Sequence, residues 1–405
     1  MKYLVFMLAA FMLFTACSDE EDNNTTEIII GGLLPANGSG KSTGEGAANA
    51  MTLAIDDINA MLESEGSDIR FAYEIFDTHT DPDVALSKLG DFNGMNVNFV
   101  VGPYSSSSCA KCVDYADNNE YMLVSPSSVS SDLAIADDNL FRLVPTDDKN
   151  AEATVALLKD DGIEYIYGLV RDDVWGNSAY DDLKTEFEKY PNSLSMAKHT
   201  YDPNETDFSL LINSLNNSID ENLEKKKMAV LIFSFEEGTH ILEKLSAANF
   251  LYGEMKFYGS SAFANNASIL VSPEAMQFAK NHGGFKCPIF GYDESDELQA
   301  QAIMTRIEAL IGRTPDIYAL CAYDATMLAY ETYKANNFSM DPRFSEFKQL
   351  FVDQANSYTG VTGSTKLNEF GDRESGDFFN WGIGDDGKWK VYSVYDSESK
   401  TIEKK

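Results

Sequence analysis

The sequence predicts an α/β protein made of two successive doubly wound units. Apolar runs such as Ile28–Leu34 and Met228–Phe233 have no polar alternation, as expected of parallel strands covered on both faces. They alternate with segments of helical periodicity, the pattern of a parallel sheet flanked by helices. The alternation pauses at Phe141-Arg-Leu-Val-Pro-Thr-Asp-Asp148 and then restarts. A chain of 405 residues is long enough for two domains of ordinary size.

Taken in order, the chain opens with Lys2 and an apolar run from Tyr3 to Phe14, too short to span a bilayer and of signal-peptide length. The run ends in Phe14-Thr-Ala-Cys17, which resembles a bacterial lipoprotein signal. Residues 1–16 are therefore expected to be a signal peptide and Cys17 the lipidated residue. Several acyl chains on one cysteine anchor a protein stably to a membrane. The acidic run over 17–26 has no core-forming residue and reads as a tether, placing the protein at the cell envelope, on the periplasmic face or the cell surface.

After the first strand comes Pro35-Ala-Asn-Gly-Ser-Gly-Lys-Ser-Thr43, which mimics a phosphate-binding loop. That motif needs glycine where Pro35 stands, so the segment is set aside as a decoy. Ala47, Met51, Ala54, Ile55, Ile58 and Leu62 share one helical face. A strand is expected over Ile69–Phe76, and Asp81-Pro82 opens the next helix. Val100-Val-Gly-Pro-Tyr-Ser-Ser-Ser-Ser108 reads as strand, turn and helix start, where hydroxyls and amides converge on an anion. Met122-Leu-Val-Ser-Pro-Ser-Ser-Val129 repeats the form. Beyond Asp148, helices are expected at 148–159, 178–190, 207–215 and 236–249, with strands at 165–170, 196–201, 228–233 and 256–258. Long helices follow at 298–311 and 317–333, and the tail from Tyr358 is rich in strand and aromatic residues.

A formal charge of −34 repels nucleic acid and anionic membrane surfaces. Four cysteines remain besides Cys17: Cys109, Cys112, Cys287 and Cys321. The C-x-x-C at a helix start leaves three options open, namely a redox or metal pair, a structural disulfide, or half-buried thiols. His79, His199, His240 and His282 are scattered, with neither a zinc-binding spacing nor a nucleophile elbow. No enzyme activity, cofactor or metal is expected.

Several short pieces occur in a telling order: Ile30-Gly-Gly-Leu-Leu-Pro35, Ala54-Ile-Asp-Asp-Ile-Asn59, Asp77-Thr, Val101-Gly-Pro-Tyr-Ser-Ser106, Ser125-Pro-Ser127, Phe141–Asp147, Ala322-Tyr-Asp-Ala325 and Gly360-Val-Thr-Gly363. In these the chain resembles the type I periplasmic solute-binding proteins of the branched-chain amino acid (Leu/Ile/Val) class, receptors of ABC transporters. The resemblance implies two lobes joined by a three-segment hinge, with ligand in the cleft and hinge closure as the functional step. Crossings near Pro145, Ala264 and Thr362 would make 27–144 with 265–361 one lobe and 145–264 with 362–405 the other.

Carried over by position, Ser105, Ser106, Ser127 and Ser128 would hold a ligand carboxylate, and Trp175 and Phe235 would pack on its body. Val129 stands where the family often has threonine. Amino-acid binders carry an acid near Gly259-Ser-Ser261, where this chain has serines; a buried ammonium without a counter-charge is costly. Ser261 and Tyr323 complete the expected site, and Asp324 is expected at the hinge unless it reaches the ligand. The implied function is capture of a small polar ligand (amino-acid-like, amide or carboxylate) by a monomer that feeds an ABC permease. The rival is a sensor component signalling through a partner. Uptake is favoured because no transmembrane helix or signalling module follows the fold.

Overall fold

The computed structural model describes residues 25–95, 97–190, 195–219, 224–248, 252–292, 297–339 and 343–405. The expected signal segment, Cys17 and the tether up to residue 24 lie outside these ranges.

The first sheet starts with β1 (Thr26–Leu34), whose Ile28, Ile30, Leu33 and Leu34 are buried. From it the chain passes through α1 (Lys41–Ser64), β2 (Ile69–Asp77), α2 (Pro82–Asp91), β3 (Phe99–Val101), α3 (Ser106–Asn119), β4 (Met122–Ser125) and β5 (Leu140–Arg142). All pairings are parallel and the strand order is β2-β1-β3-β4-β5. The order reverses between β1 and β3, so the loops leaving their carboxyl ends flank the crevice where such sheets bind ligands.

The chain then enters α4 (Asp147–Asp160), β6 (Tyr165–Arg171), α5 (Val174–Glu188), β7 (Ser195–Tyr201), α6 (Ser209–Ser218), β8 (Met228–Phe233), α7 (Gly238–Ala247) and β9 (Lys256–Gly259). This second parallel sheet has the order β7-β6-β8-β9, with the same reversal between β6 and β8. The two units are the predicted doubly wound lobes.

One boundary moves. After β9 the chain forms a 3-10 turn at Ser261–Phe263, then α8 (Pro273–Asn281) and β10 (Cys287–Phe290). Helix α8 packs on α7, Lys286 bridges to Tyr258 of β9, and β10 pairs with a C-terminal strand. Residues 265–290 thus belong to the second lobe, and the crossing expected near Ala264 comes after Phe290. The Ser-Ser-Ala-Phe segment imitates the end of a lobe, but its turn only leads the chain along the same sheet.

Beyond that crossing, α9 (Glu297–Ile311), α10 (Ile317–Ala335) and α11 (Phe344–Ser357) return to the first lobe. Helix α10 is almost wholly buried and lies along α1. A short hairpin, β11 (Thr359–Gly360) with β12 (Gly363–Ser364), precedes β13 (Phe378–Ile383), β14 (Trp389–Asp396) and β15 (Thr401–Lys404), which form an antiparallel sheet with β10 on the second lobe.

The first and third crossings are tied by polar contacts. Arg142, fully buried, donates to both carboxylate oxygens of Asp372 at 2.5 and 2.8 Å and to the Ser130 carbonyl at 2.5 Å. Asp324 accepts from the Val361 and Thr362 amides at 2.8 and 3.0 Å and from the Thr362 hydroxyl. Arg373 donates to the hydroxyl and the carbonyl of Thr362, both at 2.7 Å. Charges this deep cost desolvation energy, and these hydrogen bonds are what makes them tolerable.

Candidate functional site

The two switch points face each other across a cleft of about 470 Å³, counting space open to solvent. From the first lobe it is lined by Ser39, Gly40 and Thr43 after β1, by Thr80, and by Tyr104, Ser105, Ser106, Ser127 and Val129 around the starts of α3 and the loop after β4. Tyr318, in the first turn of α10, closes one side. The second lobe contributes Trp175, Phe235, Ala262 and Asn266. None of these side chains carries a charge.

The serine cradle is fixed by its own hydrogen bonds. Ser105 caps α3, its hydroxyl accepting from the Ser108 amide at 3.3 Å and donating to the Ser108 hydroxyl at 2.9 Å. Ser106 Oγ accepts from Ser128 Oγ at 3.0 Å and from the Ser130 amide at 3.4 Å, which leaves its proton free for a ligand. Ser127 Oγ donates to the Tyr104 carbonyl at 2.6 Å and keeps lone pairs to accept with. Ser128 is 1 % exposed and does not line the cleft; it orients Ser106 instead of touching a ligand.

The opposite wall is aromatic. Trp175 and Phe235 stack at 5.1 Å between centroids, 22° from parallel. The Arg171 guanidinium lies 4.3 Å from the centroid of the Phe235 ring and is itself held by Asp173 and Glu237. This makes a rigid face for a flat or apolar body. Trp175 sits at the start of α5, capped by Asp173 accepting from the Gly176 amide at 2.8 Å. A Cβ on Gly176 would fall 2.1 Å from the Arg171 carbonyl oxygen, which is why tryptophan is followed by glycine here.

A second cavity, of about 320 Å³ by the same measure, shares Trp175 with the cleft and contains Asp147, Asn150, Thr154, Ser260 and Ser261. Among the described residues, Asp147 Oδ2, Trp175 Nε1 and the Tyr104 hydroxyl in the cleft are buried without a hydrogen bond of good geometry. The Asp147 carboxyl and the Trp175 indole lie beside each other, and Thr43 and Ser127 lie beside the Tyr104 hydroxyl, so these polar atoms face one another at the meeting of the two cavities. Burial, helped by the nearby Asp182, pushes the Asp147 carboxyl well above the usual carboxylate range, while the neighbouring indole and Arg142 pull the other way.

Of the residues expected from sequence, Ser105, Ser106, Ser127, Trp175 and Phe235 come together in the cleft. Ser261 faces the second cavity. Tyr323 does not reach either: its hydroxyl donates to Asp57 at 2.8 Å on the far side of α10. Tyr318, five residues earlier, takes the place expected of it, because the helix turns position 323 away. Asp324 is occupied at the hinge and does not enter the cleft. Ser39, Gly40 and Thr43 were masked by their likeness to a nucleotide loop. The strand–glycine–helix pattern at the first switch point was the signal for them. Asp147 was legible only as part of a hinge motif.

The four described cysteines are free and buried. Burial raises the Cys109 thiol to about 11 and Cys112 to about 12, so neither is a thiolate at neutral pH. Cys109 instead contacts the Pro103 carbonyl at 3.2 Å within the cradle.

The chain is 24 % identical to the uncharacterized protein MJ1266 of Methanocaldococcus jannaschii over 98 % of both chains. Its fold is similar to that of a solute binding protein of an ABC transporter from R. palustris in complex with benzoate, with a TM-score of 0.74, 16 % identity, and coverage of 94 % of this chain and 98 % of that one. A similar match is the branched-chain amino acid transporter substrate binding protein LivJ from Streptococcus pneumoniae in complex with isoleucine, with a TM-score of 0.70, 18 % identity, and coverage of 94 % and 100 %. These place the two lobes among type I periplasmic binding protein folds. Residues 46–383, from the first helix to the penultimate long strand, match the family described as the receptor family ligand binding region, and the chain belongs to that family.

Proposed function

We propose that the protein is a lipid-anchored, extracytoplasmic solute-binding protein that captures a small polar molecule between its lobes for ABC-type uptake. The observation that carries this is a cleft in which a hydroxyl cradle on one lobe faces a stacked aromatic pair on the other. The cradle suits a carboxylate or carbonyl end, and Trp175 with Phe235 suits a flat or apolar body. Relatives of the same fold bind isoleucine or benzoate, both of which have this division. Asp147 lines the second cavity beside Trp175, so a ligand with an ammonium group would turn it toward that cavity. The anchor would be Cys17, and the partner a membrane permease. A receptor component that signals through a partner is the second reading, favoured by the family match.

A thermal-shift screen over amino acids, amides and aliphatic and aromatic carboxylates tests the binding reading. A ligand that raises the melting temperature should bind about tenfold or more weakly to Ser106→Ala, the loss expected for one hydrogen bond to a charged group. Trp175→Ala should weaken it further. Absence of any stabilising compound, or equal affinity in both variants, counts against the cleft. Labelling with radioactive palmitate, abolished by Cys17→Ser, tests the anchor.

A further inference from the structure

Helix α1 begins at Gly40 with no side-chain cap of its own. Its cap comes from the other lobe. Glu236, in the loop after β8, accepts from the Ser42 amide at 2.7 Å and from the Ser42 hydroxyl at 2.6 Å through Oε1. Its own amide donates to the Ser39 carbonyl at 3.2 Å. A carboxylate here also meets the positive end of a 24-residue helix. At a separate point Ser131, in the 3-10 turn Ser131–Leu133 of the first lobe, donates to Asp182 of α5 at 2.7 Å. Neither Glu236 nor Asp182 lines the ligand cleft, nor do Ser42 and Ser131. Both contacts join the lobes, and neither needs a ligand to form.

We propose that Glu236 and Asp182 are interlobe latches that hold the cleft shut in the absence of ligand. Opening exchanges an N-cap and a charge-assisted hydrogen bond for water, so the open state is not free for this protein. The protein then samples its closed form before capture, and ligand shifts an existing equilibrium. Asp182 makes its latch among other acids. Burial raises its carboxyl to about 6, and Ser131 opposes this while Asp148, Asp132 and Asp181 add to it, with Asp147 also nearby. Asp132 belongs to the opposite lobe, so closure brings another like charge to Asp182.

The proposal rests on the geometry of the two lobes and stands even if the ligand screen fails, so the two readings fail separately. Single-molecule energy transfer on ligand-free, full-length protein carrying Cys17→Ser tests it. Dyes go on Glu63→Cys and Lys184→Cys, exposed positions on opposite lobes, while the four described native thiols are buried. Wild type should show a closed population at pH 7. Glu236→Ala should lower the closed-to-open ratio about tenfold, Glu236→Gln less, and Asp182→Ala, which removes the Ser131 bond, should lower it as well. Glu308→Ala, at an exposed position on α9 away from the cleft and both latches, should change nothing. Melting curves check that each variant is folded. A wild type found only open, or a closed fraction that Glu236→Ala leaves unchanged, overturns the proposal.

Discussion

Asp147 sits at the joint where charge decides which ligands are possible. It lies beside the Trp175 indole, and burial keeps the carboxyl protonated at higher pH than an ordinary aspartate. A cation beside it would draw the proton off, so binding an ammonium-bearing ligand should release protons. Calorimetry in buffers of different ionisation heat reads that release directly. Asp147→Asn should weaken a zwitterionic ligand by an order of magnitude or more and leave a simple carboxylate nearly unaffected. Equal affinities for both ligand types would remove Asp147 from the site. At this scale the sequence was informative for residues whose role follows from the turn they occupy, such as Ser105, Ser106 and Trp175. It was misleading for Tyr323, because a helical phase error of five residues swaps the cleft for the back of α10. Ser128 shows another limit: hydroxyls adjacent in sequence divide between touching a ligand and holding the one that does.

At the scale of elements, the hinge segments are held by partners far apart in sequence. Arg142 and Asp372 are 0 % and 1 % exposed and lie 230 residues apart. Arg142→Met would leave Asp372 buried and unpaired, at a cost of about 3–5 kcal/mol. Gly360→Ala would put a methyl 2.4 Å from the Asp324 carboxylate. It should cost about 1–3 kcal/mol, measured by urea denaturation. If either variant unfolds like wild type, the corresponding contact contributes nothing to the hinge. The strands and helices themselves were legible because buried parallel strands are unbroken apolar runs and the helices carry one apolar face. The second crossing was not. Its position depends on β10 pairing with β13, and such a long-range pairing leaves no local mark in Cys287–Phe290.

For the whole molecule, pH acts through several buried acids together. Burial raises Asp138 and Asp316 to about 7 and Asp182 to about 6. Their folded pKa values lie above the unfolded ones, so the folded state binds more protons. The stability they contribute is complete below about 4 and is lost as pH rises through 7. His199 and His282 have pKa values lowered by burial and act oppositely, destabilising the fold as pH falls through about 6.5. The melting temperature should therefore change little from pH 8 to 7 and climb as pH is lowered from about 7 toward 5, the two histidines subtracting part of the gain below 6.5. A net charge of −34 adds to the trend, since protonation relieves self-repulsion. A melting temperature that falls over that interval would contradict these assignments.

The nesting of the lobes also sets the order in which the chain can fold. Helix α10, the buried companion of α1, follows the bulk of the second lobe in sequence. As the chain emerges, strands β1 to β5 appear first but must wait for α10 with an apolar face uncovered. The second lobe, apart from its C-terminal strands, is complete sooner. That interval is when a newly made chain would be most exposed to aggregation and most in need of a holding chaperone. Nascent chains arrested after residue 292, before α10 is made, and probed by hydrogen exchange should accordingly show amides of β6 and β8 protected more than those of β1 and β3.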